Sequence, residues 1–243
     1  MRSLKDTVQS LLWKKGYNIQ KIRNFPENNI NLLKLLVKQL PQNNSQPIIV
    51  QIGANDGITS DPVYPIIKNG NWSGVLVEPI PSLYQELTQT YKNVPSLKLE
   101  NCAIALADGT VTMYQVIPNE SLPEYVKILP SFDINIILKN KPLIPNIEKF
   151  IESIEVRAIA FKSLLEKYSI QHINLLQIDA EGFDYEIMKM AFQVPLLPDI
   201  INFEYTHFSP QEIEECGNVL ADKGYSYLKV GRDIVAVQQS IID

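Results

Sequence analysis

Two short runs carry residue types suited to gripping a nucleoside. Gly53-Ala54-Asn55-Asp56-Gly57 follows the apolar run Ile48 to Ile52. Glycine has no Cβ and tolerates positive φ, so such a turn lets main chain approach a ligand closely. Glu78-Pro79 closes the next apolar run, Gly74 to Val77. A carboxylate at that point can accept both hydroxyls of a ribose. Either feature alone fits an ordinary strand-to-helix turn; together they point to an adenosine-containing cofactor. A dinucleotide pyrophosphate wants G-x-G-x-x-G with bare backbone facing the phosphates. Here the spacing is G-x-x-x-G with Asn55-Asp56 inside. An aspartate pointing into the turn would repel pyrophosphate and suit a cation, such as a sulfonium with an amino-acid tail.

Two later runs bring groups that can move protons: Asp179-Ala180-Glu181-Gly182, and Glu204 to His207. Transfer of an alkyl group from sulfur to a hydroxyl needs alignment of the reacting atoms and removal of one proton. Imidazole titrates near neutral pH and suits that work. The chain has two histidines. His207 follows an apolar run and falls on the same edge as Asp179, whereas His172 precedes a run and falls on the opposite edge. His207 is therefore the expected base, with Asp179 and Glu204 beside it. The plainer alternative is a loop histidine without a role, and a carboxylate acceptor would need no base. Asp179, Glu181, Glu204 and His207 also make an oxygen-and-imidazole set of the Mg²⁺ or Mn²⁺ type. Nothing in their spacing demands an ion, so no metal ligand is assigned and a divalent metal is not favoured. Glu181 could equally neutralise the N-terminus of the helix that follows. Cys102 reads as a small buried hydrophobe.

These groups need a scaffold that presents strand ends on one edge. Apolar runs at Ile48 to Ile52, Gly74 to Val77, Leu97 to Ile104, Ile173 to Ile178 and Ile200 to Tyr205 alternate with helical patterns. The helices are expected near Tyr64 to Lys68, Ser82 to Tyr91, Phe161 to Tyr168, Gly182 to Phe192 and Pro210 to Lys223. That alternation predicts a doubly wound, mostly parallel α/β sheet, whose ligands sit outside the carboxyl ends of the strands. Tyr225 to Val230 and Ile234 to Gln238 flank Gly231-Arg232-Asp233 and predict a closing antiparallel hairpin. Thr110 to Val116 alternates like a paired strand, and Ile154-Glu155-Val156 reads as a short one. Pro118 to Phe150 carries five prolines at 118, 123, 130, 142 and 145. Such density disfavours regular structure, and the aromatic and aliphatic residues between them predict a cap over the acceptor. Ahead of the domain, helices are expected over Ser3 to Lys15 and Asn29 to Leu40, with a polar linker from Pro41 to Pro47. Residues 1–46 thus read as a helical appendage covering the sheet, and 47–243 as the main domain. Trp13 and Trp72 are expected in the core.

Gln51 to Gly57, Val77-Glu78-Pro79, Glu100 to Ile104 before Asp108-Gly109, and above all Leu175 to Asp184 with its I-D-x-E-G signature resemble the FkbM family of methyltransferases. The resemblance runs from about Pro47 to Gln238. It implies a Rossmann-like methyltransferase fold, S-adenosylmethionine as cofactor, and O-methylation of small molecules, sugars or natural-product intermediates. It also implies that Gly53, Ala54, Asn55, Asp56 and Gly57 hold the methionine part, that Glu78 and Pro79 hold the ribose, and that Asn101, Cys102 and Ala103 flank the adenine. Asp179, Ala180 and Glu181 fall where the signature meets the methyl-transfer centre. The stretch from Pro118 to Phe150 matches nothing in the family and is expected to set the acceptor.

Composition bounds the alternatives. A net charge of -5 gives no electrostatic footprint for nucleic acid or an anionic membrane. Two isolated cysteines, Cys102 and Cys216, make no disulfide framework. With no signal peptide or membrane run in view, a cytoplasmic location is the expectation. A homodimer through the leading helices, or a module of a larger biosynthetic enzyme, is compatible with the sequence. The competing functions are a non-catalytic S-adenosylmethionine or nucleoside-binding domain and, behind it, a nicotinamide-dependent oxidoreductase.

Overall fold

The computed structural model describes residues 31–41, 46–117, 119–120, 122–123, 125–126 and 129–242. The helix expected over Ser3 to Lys15, with Trp13, lies outside the described residues. The described elements, in chain order, are α1 (Leu32–Val37), β1 (Ile48–Ile52), α2 (Tyr64–Asn69), β2 (Ser73–Val77), α3 (Pro81–Tyr91), β3 (Leu97–Glu100), β4 (Ala103–Ala105) and β5 (Gly109–Val116). They continue with α4 (Ile134–Leu138), β6 (Ile151–Ala160), α5 (Phe161–Lys167), β7 (Leu175–Ile178), α6 (Asp184–Gln193), β8 (Ile200–Glu204), α7 (Pro210–Asp222), β9 (Tyr225–Val230), β10 (Asp233–Gln238) and α8 (Gln239–Ile242).

Seven strands form the main sheet in the order β3-β2-β1-β7-β8-β10-β9. β1, β2, β3, β7 and β8 run parallel, and β10 lies antiparallel between β8 and β9. The apolar runs explain this, because parallel strands are covered on both faces and cannot alternate with polar residues. Neighbouring residues of β1 serve opposite faces, as the pleat requires. Val50 and Ile52 join Val75, Leu176, Ile178 and Phe161 on one face. Ile49 joins Ile67, Trp72, Leu76, Leu87 and Leu175 on the other. Leu33 and Leu40 are buried in that second cluster, so α1 packs with the sheet. The strands end level: Ile52 pairs with Val77 on one side and with Ile178 on the other. Gly53, Glu78 and Asp179 therefore emerge side by side, where the strand order reverses between β1 and β7. That is the switch point at which such sheets bind ligands.

The structure adds a second sheet that the sequence reading missed, in the order β4-β6-β5. Ile154-Glu155-Val156, expected as a short strand, is the middle of the ten-residue β6. The expected third strand splits in two. Leu97–Glu100 stays in the main sheet, whereas Ala103–Ala105 leaves it to pair with Ala158 to Ala160. Glu100 locks this joint. Its buried carboxylate meets Arg157 on β6, Lys167 Nζ at 2.6 Å on α5, and the Tyr168 hydroxyl. Two cations and a hydroxyl offset the cost of burying that charge.

Between β5 and β6 the proline-rich stretch carries α4, capped by Asp133, and a short 3₁₀ turn at Ile147–Phe150. It has a small core of its own, Val116, Val126, Ile137, Ile144 and Ile147. Among the described residues no helix is long and apolar enough to cross a membrane.

Candidate active site

The carboxyl edge of the sheet opens into a cleft. Its floor is Gly53, Ala54 and Asn55 after β1, Glu78 and Pro79 after β2, and Asp179, Ala180 and Glu181 after β7. One wall is Cys102, Ala103 and Ile104; the opposite wall includes Thr59, Ser60, Asp61 and Pro62. Met113 of the second sheet and Pro130 and Phe132 of the cap complete it.

The first turn is built from its own polar groups. Gly53 and Ala54 donate their N–H groups to Val77 O at 3.0 and 2.9 Å. Gly53 holds φ +75°, and a Cβ there would lie 1.7 Å from the carbonyl oxygen of Asp179. Contact between two strand ends, rather than contact with a ligand, thus demands glycine at 53. Glu78 bridges the loops: Oε2 accepts from Asn55 N and Oε1 from Ile80 N, both at 2.8 Å. Burial pushes its carboxyl up to about 7 despite those two donors. Each oxygen keeps a further lone pair for a ligand hydroxyl.

Three residues expected at the cofactor stand behind this wall instead. Asp56 folds back onto its own turn, accepting from Ile58 N, Thr59 N and Thr59 Oγ1 at 2.6 to 2.8 Å. Gly57 faces α3, where a Cβ would meet Tyr91 and Leu87. Asn101 donates to the carbonyls of Glu78 and Pro79. Asp56 therefore does not set the charge of the site as expected, because its carboxylate is turned onto its own loop. Four other carboxyl groups take its place. Asp61, Glu78, Asp179 and Glu181 line the cleft, and among its described lining residues there is no lysine, arginine or histidine. Burial first, and then the charges of Glu181, Asp184, Glu204 and Asp233, hold the Asp179 carboxyl well above the usual range.

Sequence reasoning also missed Gln51. It reads as one polar residue within a strand, yet its side chain is buried, lines the cleft, and leaves Oε1 without a hydrogen-bond partner. Its amide donates to Asp61 Oδ2 at 3.2 Å. A polar residue inside an otherwise apolar strand was the available signal. Met113 had none, since a second sheet delivers it, whereas Pro130 and Phe132 fall in the stretch expected as a cap.

The turn after β7 differs from the first. Glu181 holds φ +43° and Gly182 φ +99°. Asp184, not Glu181, neutralises the start of α6: its oxygens accept from Ala180 N at 2.9 Å and Gly182 N at 3.1 Å. Glu181 is thereby left facing the site. Ser131 of the cap pins its carbonyl with a 2.7 Å hydrogen bond, and Ile136 packs on Gly182. His207 lies behind Glu181, with Nε2 at 3.5 Å from Glu181 Oε2 and 3.8 Å from Glu204 Oε2. The structure thus brings Asp179, Glu181, Glu204 and His207 to one edge. His172 pairs with Asp199 at 2.9 Å just before β7, on the opposite edge.

Strand order and cleft are those of a Rossmann-like α/β fold. Residues 51–227 match the family model for the methyltransferase FkbM domain, and the chain belongs to that family. It is similar to the solved methyltransferase FkbM from Methylobacillus flagellatus KT, with 10% identity and a TM-score of 0.49 over 82% of this chain and 44% of that one. This chain thus spans less than half the length of that structure. It is similar also to a human methyltransferase 10 domain containing protein, with 12% identity and a TM-score of 0.42 over 96% and 94% of the two chains. A third similar structure is the N-terminal domain of human METTL16 in complex with SAH, with 12% identity and a TM-score of 0.43 over 96% and 80%. No curated protein matches the chain.

Proposed function

We propose that the protein transfers the methyl group of S-adenosylmethionine to a hydroxyl oxygen of a small-molecule, sugar or natural-product acceptor. The observation that carries the cofactor is the acidic lining of the cleft, four carboxyl groups, which a bound cation would ionise, and no cationic side chain among its described lining residues. Such a lining repels a pyrophosphate and attracts a sulfonium and an ammonium group. That disfavours the nicotinamide reading on firmer ground than Asp56 did.

In this reading Glu78 accepts from the ribose, Pro79, Cys102 and Ala103 flank the adenine, and Gly53, Ala54 and Asn55 support the methionine part. Gln51 Oε1 and Asp61 are the acceptors for its ammonium group. Cys102 is packing: burial pushes its thiol up to about 12, which keeps it from acting as a nucleophile. Asp56, Gly57 and Asn101 support the site from behind.

Methyl transfer is an in-line displacement at a carbon already activated by positive sulfur, so alignment supplies much of the rate. Met113, Pro130 and Phe132 form an apolar wall that orients the acceptor and excludes water. Glu181, which lines the cleft, takes the hydroxyl proton and passes it to His207 Nε2 behind it, and Glu204 stabilises the imidazolium that results. Asp179 sets the edge of the methyl-transfer centre.

Calorimetric titration with S-adenosylhomocysteine, beside NADH, tests the reading. Saturable binding of S-adenosylhomocysteine alone is expected and licenses an acceptor screen. Preference for NADH, or binding of neither, overturns it. Binding with no turnover on any hydroxyl acceptor would leave the non-catalytic alternative.

A further inference from the structure

Glu181 reaches the cluster from the turn after β7, Glu204 from the end of β8, and His207 from the loop that follows. One donor atom from each lies within 4.8 Å of the other two. Glu204 and His207 are almost enclosed, with side-chain exposures of 6% and 12%. Glu204 Oε2 and His207 Nε2 are buried and have no hydrogen-bond partner. Leaving a buried polar atom unmatched costs about 1–3 kcal/mol, so two of them facing one small space call for a ligand. The surroundings set its charge. Arg232 holds the other oxygen of Glu204, at 2.6 Å, and Thr206 reaches that same oxygen at 3.1 Å. Neither touches Oε2. Asp179 lies close to Glu181 and Glu204, and Asp233 is the register partner of Glu204.

We propose that Glu181, Glu204 and His207 bind one divalent transition-metal ion, of the Mn²⁺ or Zn²⁺ class. Two donors each about 2.1 Å from one ion lie roughly 3.0–4.2 Å apart. The 3.5 and 3.8 Å separations from His207 Nε2 fall in that range. Two carboxylates with an imidazole suit Mn²⁺ or Zn²⁺ better than the all-oxygen shells of Mg²⁺ or Ca²⁺. Three protein ligands leave positions open for water or an acceptor oxygen. The ion also takes the Nε2 lone pair on which the proposed base relies. On the reading that His207 is the base, ion-loaded protein and base-catalysed transfer through His207 exclude one another.

The test is Mn²⁺ binding to the full chain after chelator treatment, read by loss of the free-ion electron paramagnetic resonance signal. One ion per chain is expected, bound at least 10-fold more weakly by both Glu204→Gln and His207→Gln. The histidine variant keeps the Glu204–Arg232 pair and stands in if Glu204→Gln fails to fold. No saturable binding, or equal affinity in a folded variant and the parent, overturns the site. Calorimetry with S-adenosylhomocysteine on the same preparation separates the two proposals. Cofactor binding without ion binding sinks only the metal site; ion binding without cofactor binding sinks only the cofactor reading.

Discussion

The two turns that meet at the carboxyl edge, Gly53 to Gly57 and Asp179 to Gly182, are alike in composition and opposite in construction. Both hold glycine at positive φ and both carry acids. In the first, Asp56 satisfies three donors of its own turn and Glu78 two backbone N–H groups. In the second, Asp184 satisfies the backbone from below, and Glu181 is released towards Glu204 and His207, two of whose atoms lack partners. A turn that satisfies itself is rigid, as the proposed cofactor site requires. A turn that turns its acid towards unmatched atoms of Glu204 and His207 offers a place for reaction or for an ion. Asn55, Ser60 and Glu181, three of the five non-glycine residues at positive φ among the described residues, line the cleft these turns enclose. Strain of that kind concentrates where geometry is held for a purpose.

The comparison breaks most visibly at the contact between the turns. Gly53→Ala drives a Cβ into Asp179 O, so a loss of about 3–5 kcal/mol is expected in denaturant unfolding, of the size seen for overpacked or strained sites. Gly231→Ala has open space around it and costs only the φ strain, about 1–2 kcal/mol. Equal losses would remove the close contact as the reason for Gly53.

His207→Ala strikes the second turn alone. Turnover of a hydroxyl acceptor, assayed with chelator present, is expected to fall about 10²–10⁴-fold, with S-adenosylhomocysteine affinity changed less than two-fold. Undiminished turnover from pH 6 to 9 discards the base. Glu78→Ala strikes the first turn. It leaves the N–H groups of Asn55 and Ile80 without partners, so stability is expected to drop by about 1–3 kcal/mol while cofactor affinity also falls. Parental affinity in the folded variant removes Glu78 from the site.

The last effect is on pH dependence. The folded protein holds protons on Glu78 up to about 7 and on Asp184 up to about 6, both raised by burial from ordinary values of 4.5 and 3.8. The stability tied to these protons is fully present below the ordinary values and is lost as pH rises through the folded ones. Thermal midpoints of ligand-free protein are expected to decline from about pH 4.5 to 7, then level off. A rise across that window would contradict the assignment.

Much of the scaffold was legible because buried parallel strands are continuous apolar runs. Ile48 to Ile52 and Ile200 to Tyr205 show it, as does the hairpin about Gly231. The second sheet was not legible, because β5 pairs with residues some forty positions away and β6 mixes Glu152, Glu155 and Arg157 with its apolar residues. Strand ends placed Glu78, Asp179, Glu204 and His207 on the carboxyl edge for the same geometric reason. Side-chain direction inside a turn depends on local hydrogen bonds, and so Asp56 was misplaced while Gln51 and Asp61 went unseen.

Val116 and Ile151 are register partners, and Ile117 N donates to Phe150 O at 2.8 Å. The cap therefore leaves and rejoins its sheet at adjacent points, roughly one strand spacing of 5 Å apart. Its two ends define a cassette. A chimera that exchanges 117–150 between relatives, keeping a serine at 131 to pin Glu181, would change the Pro130 and Phe132 side of the cleft and leave its Gly53, Ala54 and Glu78 floor intact.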